Sequence, residues 1–250
     1  MEIYRIMFII IFFIILLILN TKKIKKISLK DDATYLFWTG GYDSTFRLCQ
    51  LLIIYKKKVL PIYLIGDNLD DSDRKNSYKR KNVNKELEAM KIIRKKLYTK
   101  YPFTKNLLKP TLILRNVKIN SKVKSNMNKL YLKKKISRPV TQYGSMAQVT
   151  YDLNKNIEVC SERSSHSVMC KLLYGIEYCS GKVNNKKYLE VVEIFRKFKF
   201  PIGSYTKKDM LNESIKYGFI DILNLTWSCW FPNSKSEPCN NCPMCKGRII

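Results

Sequence analysis

The spacing of apolar and polar positions divides the chain into short buried strands alternating with amphipathic helices. Residues 33–38, ATYLFW, are aromatic and β-rich and end at two glycines, which predicts a buried strand. From Ser44 to about Tyr55, Phe46, Leu48, Leu51 and Leu52 supply the core face of a helix. Residues 59–66, VLPIYLIG, predict a second strand, weakened at its start by Pro61. A charged loop over 67–82 leads to a helix through KELEAMKIIRKKL, with Leu87, Met90 and Ile93 at helical spacing. Residues 111–117 predict a third strand, 140–153 a helix and 156–160 a fourth strand. KKYLEVVEIFRKF, residues 186–198, is amphipathic and predicts a helix. The last long helix opens at Thr206, a capping residue, and stops at Gly218. Strands alternating with helices predict an α/β fold, an open parallel sheet with helices on both faces.

Two segments break this rhythm. Residues 118–138 carry eight basic residues and no acid, with Tyr131 as the lone aromatic. They predict a solvated insertion, with a nucleic-acid face as the alternative. Residues 6–19 are fourteen apolar residues in a row. As a helix they rise only ~21 Å, short of the ~30 Å hydrocarbon core of a bilayer. The run has no polar face, which makes a buried surface helix awkward, and KKIKK follows it. The expectation is a hydrophobic anchor over 1–20, spanning or lying in a membrane, then a basic linker over 21–32. The remainder would be a cytoplasmic domain held at the membrane.

Composition sharpens this picture. Hydrophobic residues make up 46%, which excludes a disordered chain. Lysine and arginine number 47 against 20 acids, a formal charge of +27 that favours polyanionic partners. The excess is mostly lysine, in a chain also rich in Ile and Asn, so it is equally the mark of an AT-rich genome.

The chemistry-bearing residues lie toward the two ends. TGGYDST, residues 39–45, follows the first strand and opens a helix. Adjacent glycines let backbone approach a ligand, and the helix start directs amides and a positive dipole end at the same place. Thr39, Gly40, Gly41, Ser44 and Thr45 therefore read as a polyphosphate cradle. Asp43 would repel phosphate unless a cation intervenes, so it reads as a Mg²⁺ ligand or as a helix cap. Near the C-terminus Cys229, Cys239, Cys242 and Cys245 form C-x₉-C-x₂-C-x₂-C, with Pro238 and Pro243 stiffening the turns. Four thiolates at that spacing suit a closed structural Zn²⁺ site, with an Fe–S cluster as the rival. Cys49, Cys160, Cys170 and Cys179 read as ordinary buried thiols, and His166 as a surface or core residue.

The loop resembles the S-G-G-x-D-S signature of the PP-loop ATP pyrophosphatases, with Thr39 in place of the first serine. Together with T-W-S-C-x₉-C-x₂-C-x₂-C-x₂-R and the stretch FPIGSYTKKDML, residues 200–211, the chain is similar to 7-cyano-7-deazaguanine synthase. The resemblance implies an adenine nucleotide alpha hydrolase-like domain over 33–225 and a zinc-binding region over 226–250. It implies an ATP- and Mg²⁺-dependent carbon–nitrogen ligase in queuosine biosynthesis. That enzyme activates 7-carboxy-7-deazaguanine, adds ammonia and dehydrates the amide to a nitrile. Asp43, Ser44 and Lys207 would carry the chemistry, Lys207 as a phosphate contact whose alternative is a solvated helix-start lysine. The tip of the second strand, residues 64–67, would lie near adenine, and Arg248 matches the arginine after the last cysteine. A homo-oligomer is expected. The alternatives are a PP-loop tRNA-modifying enzyme such as a thiolase, with Cys160 or Cys170 as sulfur carrier, and a non-catalytic zinc-containing binding protein. tRNA is thus a second, less favoured partner.

Overall fold

The computed structural model describes residues 32–65, 82–132, 142–162 and 193–247. Strand β1 (Thr34–Phe37) leads into α1 (Tyr42–Cys49), which widens into a π-helical stretch, Gln50–Ile54. Next come β2 (Val59–Ile65), α2 (Val83–Lys100), the single turn α3 (Thr104–Leu107) and β3 (Leu112–Arg115). Helices α4 (Ser121–Leu132) and α5 (Gln142–Leu153) precede β4 (Ile157–Glu158). A 3₁₀ turn (Glu193–Phe195), β5 (Phe198–Lys199), α6 (Lys207–Lys216), α7 (Ile220–Leu223) and the short α8 (Pro243–Lys246) complete the described elements.

The strands form one parallel sheet in the order β3-β2-β1-β4-β5. Side-chain alternation builds its two cores. Tyr35 and Phe37 of β1 join Leu60 and Ile62 of β2 beneath α4 and α5. Leu36 and Trp38 join Val59, Tyr63 and Ile65 beneath α1, α2, α6 and α7. β2 is buried along nearly all its length, as a central parallel strand must be. Pro61 is tolerated there for a local reason. Val59 accepts from the amide of Lys109 and Ile62 from that of Trp38, so position 61 faces β3, whose pairing begins only at Ile62 opposite Leu112.

Strand order also explains which helix lies on which face. The chain steps outward from β1 to β2 to β3 with α1 and α2 on one side. To return past β1 to β4 with the same crossover hand, it must place α4 and α5 on the other. The direction therefore reverses between β1 and β4, and a crevice opens beyond their carboxyl ends.

Three expectations are corrected. Within the stretch 118–138, residues 118–132 are not merely an insertion: α4 buries Val123, Met127 and Leu130 at positions i, i+4 and i+7 and exposes its lysines, whereas 133–138 lie outside the described residues. The helix expected over 186–198 fails at its end. The amides of Ile157 and Val159 donate to the carbonyls of Lys197 and Lys199, so β4 claims this backbone as β5; residues 186–192 lie outside the described residues. Among the described residues no helix is long and apolar enough to cross a membrane, so the expected transmembrane helix and membrane-anchored localisation find no support there. The apolar run 6–19 itself lies outside the described residues.

Candidate functional site

The crevice between β1 and β4 holds a cleft of about 380 Å³. Its floor is the loop after β1. Gly40 has φ +72°, and a Cβ there would lie 3.0 Å from both the Glu86 carbonyl oxygen and Met90 Cγ of α2. Gly41 has ordinary φ and ψ, −79° and 166°, and lines the cleft. The two glycines thus answer different demands: Gly40 admits α2, and Gly41 leaves room for a ligand.

No side chain caps α1. Its first internal bond is Thr45 N–H to the Gly41 carbonyl, 3.0 Å, so the amides of Tyr42, Asp43 and Ser44 lie ahead of the helix ladder. Thr39 and Ser44 brace this turn. The Gly41 amide donates to Thr39 Oγ1 at 3.3 Å, and Ser44 Oγ donates to the Gly41 carbonyl at 3.3 Å. Thr45 is placed elsewhere: it is fully buried and accepts from Trp38 Nε1 at 3.0 Å, so it pins α1 to the core rather than facing the cleft.

Asp43 does not cap α1; its carboxylate pairs with the Lys207 ammonium. Lys207 is the first residue of α6, whose start is fixed by a reciprocal capping box between Thr206 and Asp209. The same ammonium lies 3.6 Å from Glu162 Oε2 and 4.8 Å from the Tyr42 ring centroid. Glu162 belongs to the segment leaving β4 on the far side of the crevice, and sequence reading missed it. Nothing local marks it; only the strand order brings it opposite Asp43. Burial pushes its carboxyl above the ordinary range, with Lys207 opposing and Asp43 adding to the rise. Burial, then Asp43 and Glu162, push the Tyr42 phenol up to about 12. The Tyr42 hydroxyl is buried and finds no hydrogen-bond partner among the described residues.

The charge balance has a chemical consequence. Two carboxylates against one lysine leave this wall net negative, so a polyphosphate requires a cation beside it. Asp43 and Glu162 offer the hard oxygen donors that suit Mg²⁺. At the neighbouring wall Tyr63 and Asn82 hold the Glu86 carboxylate, the latter at 2.7 Å. Tyr63 and Leu64 at the end of β2 line the cleft, whereas residues 66–67 lie outside the described residues.

Beneath the cleft Arg47 of α1 grips Glu158 of β4 through two bonds, 2.8 and 2.7 Å. Arg47 also donates to Gln50, which donates to Glu213 of α6 at 2.6 Å and to Tyr205 at 3.2 Å. This network ties α1 to β4, from which the segment bearing Glu162 leaves, and to α6, which opens at Lys207.

The roof comes from the cysteine region. Trp227, Ser228, Trp230, Met244 and Gly247 line the cleft, and the Trp227 amide donates to the Gly40 carbonyl at 3.0 Å. Two residues on, the Sγ atoms of Cys229, Cys239, Cys242 and Cys245 all lie within 4.8 Å of one another. The Cys242–Cys245 and Cys239–Cys245 sulfur pairs are 3.5 and 3.9 Å apart. Ligands ~2.3 Å from a tetrahedral centre stand ~3.8 Å apart, so the four sulfurs fit Zn²⁺. The amides of Asn241 and Cys242 hold the Cys239 thiol down at about 6, which favours the thiolate a metal needs. Of the remaining thiols, Cys49 is fully buried and Cys160 lines the cleft. Cys170, Cys179, His166 and Arg248 lie outside the described residues.

Residues 182–249 match the family model described as queuosine biosynthesis protein QueC. The matched stretch contains Lys207 and all four cysteines, and it supports a QueC-like, PP-loop reading of the chain. Neither the curated proteins nor the solved structures contain a match to this chain.

Proposed function

We propose that the chain is an ATP-dependent carbon–nitrogen ligase that activates 7-carboxy-7-deazaguanine for attack by ammonia and converts the amide to a nitrile. One observation carries this reading. The glycine loop at the sheet's reversal point is bonded through Trp227 to the four-cysteine region, and that region lies in the stretch similar to QueC. Gly41 and the amides opening α1 would receive phosphate, with Thr39 and Ser44 fixing their turn. Asp43 and Glu162 would hold Mg²⁺, and Lys207 would neutralise developing charge. A carboxylate is a poor electrophile until one of its oxygens becomes part of a phosphate or adenylate leaving group. Ammonia then displaces that group to give the amide, and a second activation of the amide oxygen leaves the nitrile. The chain's own task is positioning and charge neutralisation beneath an aromatic roof.

Sulfur transfer to tRNA is less well supported. Among the described residues Cys160 is the thiol that lines the cleft, and burial pushes its pKa well above the ordinary value, which keeps it a neutral, weakly nucleophilic thiol. The test is incubation with ATP, Mg²⁺, ammonium and 7-carboxy-7-deazaguanine, followed by mass analysis for amide and nitrile. Asp43→Ala with Ser44→Ala is expected to abolish conversion and ATP cleavage together. ATP cleavage without conversion would remove the named substrate, and unaltered cleavage in the double variant would remove the site.

A further inference from the structure

We infer that the outer face of α2 is a docking groove for a single-stranded nucleic acid, separate from the cleft. Lys91, Arg94, Lys95, Tyr98 and Thr99 fall at i, i+3, i+4, i+7 and i+8, so they form one stripe along the helix. With Lys105 of α3 they line a groove of about 440 Å³ that contains no carboxylate. The neighbouring stripe behaves differently: Lys96 and Lys100 share Asp221, at 3.2 and 2.7 Å. Among the described residues Lys91, Lys95 and Lys105 have no acidic partner, and Lys91 and Lys95 repel each other one turn apart. Arg94 is spent on the fold, donating to the carbonyls of Leu108 and Lys109 and to Thr111. The three lysines therefore contribute a one-signed field with no internal use, which fits a phosphate backbone.

The kind of polyanion follows from the aromatics. Phe103 is exposed two residues before Lys105, and Lys56 lies 3.6 Å from its ring centroid. That ammonium covers one face of the ring and the remainder stays partly exposed, while half-buried Tyr98 lines the groove itself; a basic groove with accessible aromatic surface suits unpaired bases, which stack, better than a duplex, whose bases are already stacked.

The test measures binding of the full, metal-loaded chain to labelled 20-nucleotide oligouridylate and its DNA counterpart by fluorescence anisotropy, from 50 to 200 mM salt. Lys91→Gln/Lys95→Gln/Lys105→Gln is expected to lower the salt slope by about 2, so that wild type loses about 18-fold more affinity than the variant across that range. Lys118→Gln/Lys122→Gln/Lys124→Gln removes the same charge from the opposite face of the sheet and is expected to leave the slope in place. Phe103→Ala is expected to weaken oligouridylate about fivefold or more without changing binding of inorganic polyphosphate, which has no bases. Equal effects of the two lysine triples would reduce the groove to general surface charge and overturn the proposal. So would an unaffected Phe103→Ala, preference for duplex, or binding to phosphatidylserine vesicles without binding to the oligonucleotides.

Discussion

Replacing each of the adjacent glycines by alanine should separate folding from binding. At Gly40 alanine must adopt φ +72°, at about 1–2 kcal/mol for a left-handed residue. Its Cβ would also stand 3.0 Å from a backbone carbonyl oxygen of α2, and overpacking of this kind costs about 1–3 kcal/mol. Gly40→Ala should therefore lose roughly 2–5 kcal/mol, on the order of 10 °C in Tm for a chain of this size. At Gly41 the backbone already suits alanine, and the tightest contact is the Thr39 hydroxyl at 3.2 Å, which can rotate. Gly41→Ala should stay within about 0.5 kcal/mol of wild type. It should nevertheless bind a non-hydrolysable ATP analogue at least tenfold more weakly, because the methyl group and the displaced hydroxyl stand where the proposed function has phosphate approach; tenfold is about 1.4 kcal/mol. Urea denaturation of metal-saturated protein at unchanged m-value gives the first quantity and titration calorimetry the second. The reasoning fails if Gly40→Ala is as stable as wild type, or if Gly41→Ala is destabilised while its folded fraction binds nucleotide normally.

Arg47→Met should cost about 3 kcal/mol in urea, because it strands the largely buried Glu158 carboxylate, and a loss below 1 kcal/mol would show the pair is idle. Glu162 titrates above the ordinary glutamate value of 4.5 in the folded chain, so just above that pH the folded state keeps a proton the unfolded state has released. Stability should fall as pH rises through this window, and Glu162→Gln should flatten the urea midpoint measured from about pH 4 to pH 7; an unchanged slope refutes the assignment. Chelation of the metal should change the emission of Trp227 and Trp230 and weaken nucleotide binding together, since Trp227 joins the cysteine region to Gly40. Elemental analysis should find one zinc per chain, and iron in its place would select the cluster alternative.

What could be read from the sequence was what is local. The β1 strand, the glycine turn and α1 follow one another without interruption, and so do Thr206, its helix and Gly218. The cysteine spacing needs no tertiary information to suggest a tetrahedral site. The misses have non-local causes. β5 exists because β4 supplies hydrogen-bonding partners for a two-residue segment whose own pattern reads as helix. α4 was hidden by its three lysines, which match in number the three apolar side chains anchoring it. Thr45 and Ser44 are adjacent hydroxyls in one motif, and only the position of Trp38 shows that the first points inward. Glu162 acquires meaning from strand order alone.

The bond between the Trp227 amide and the Gly40 carbonyl gives the cleft a history during synthesis. The tryptophan is translated roughly 190 residues after the glycine, an interval on the order of 10–40 s at about 5–20 residues per second. Throughout that interval the glycine loop has no roof, because Trp227, Ser228, Trp230, Met244 and Gly247 have not yet been made. An early product released before the cysteines emerge would carry the glycine turn without the clamp that closes it.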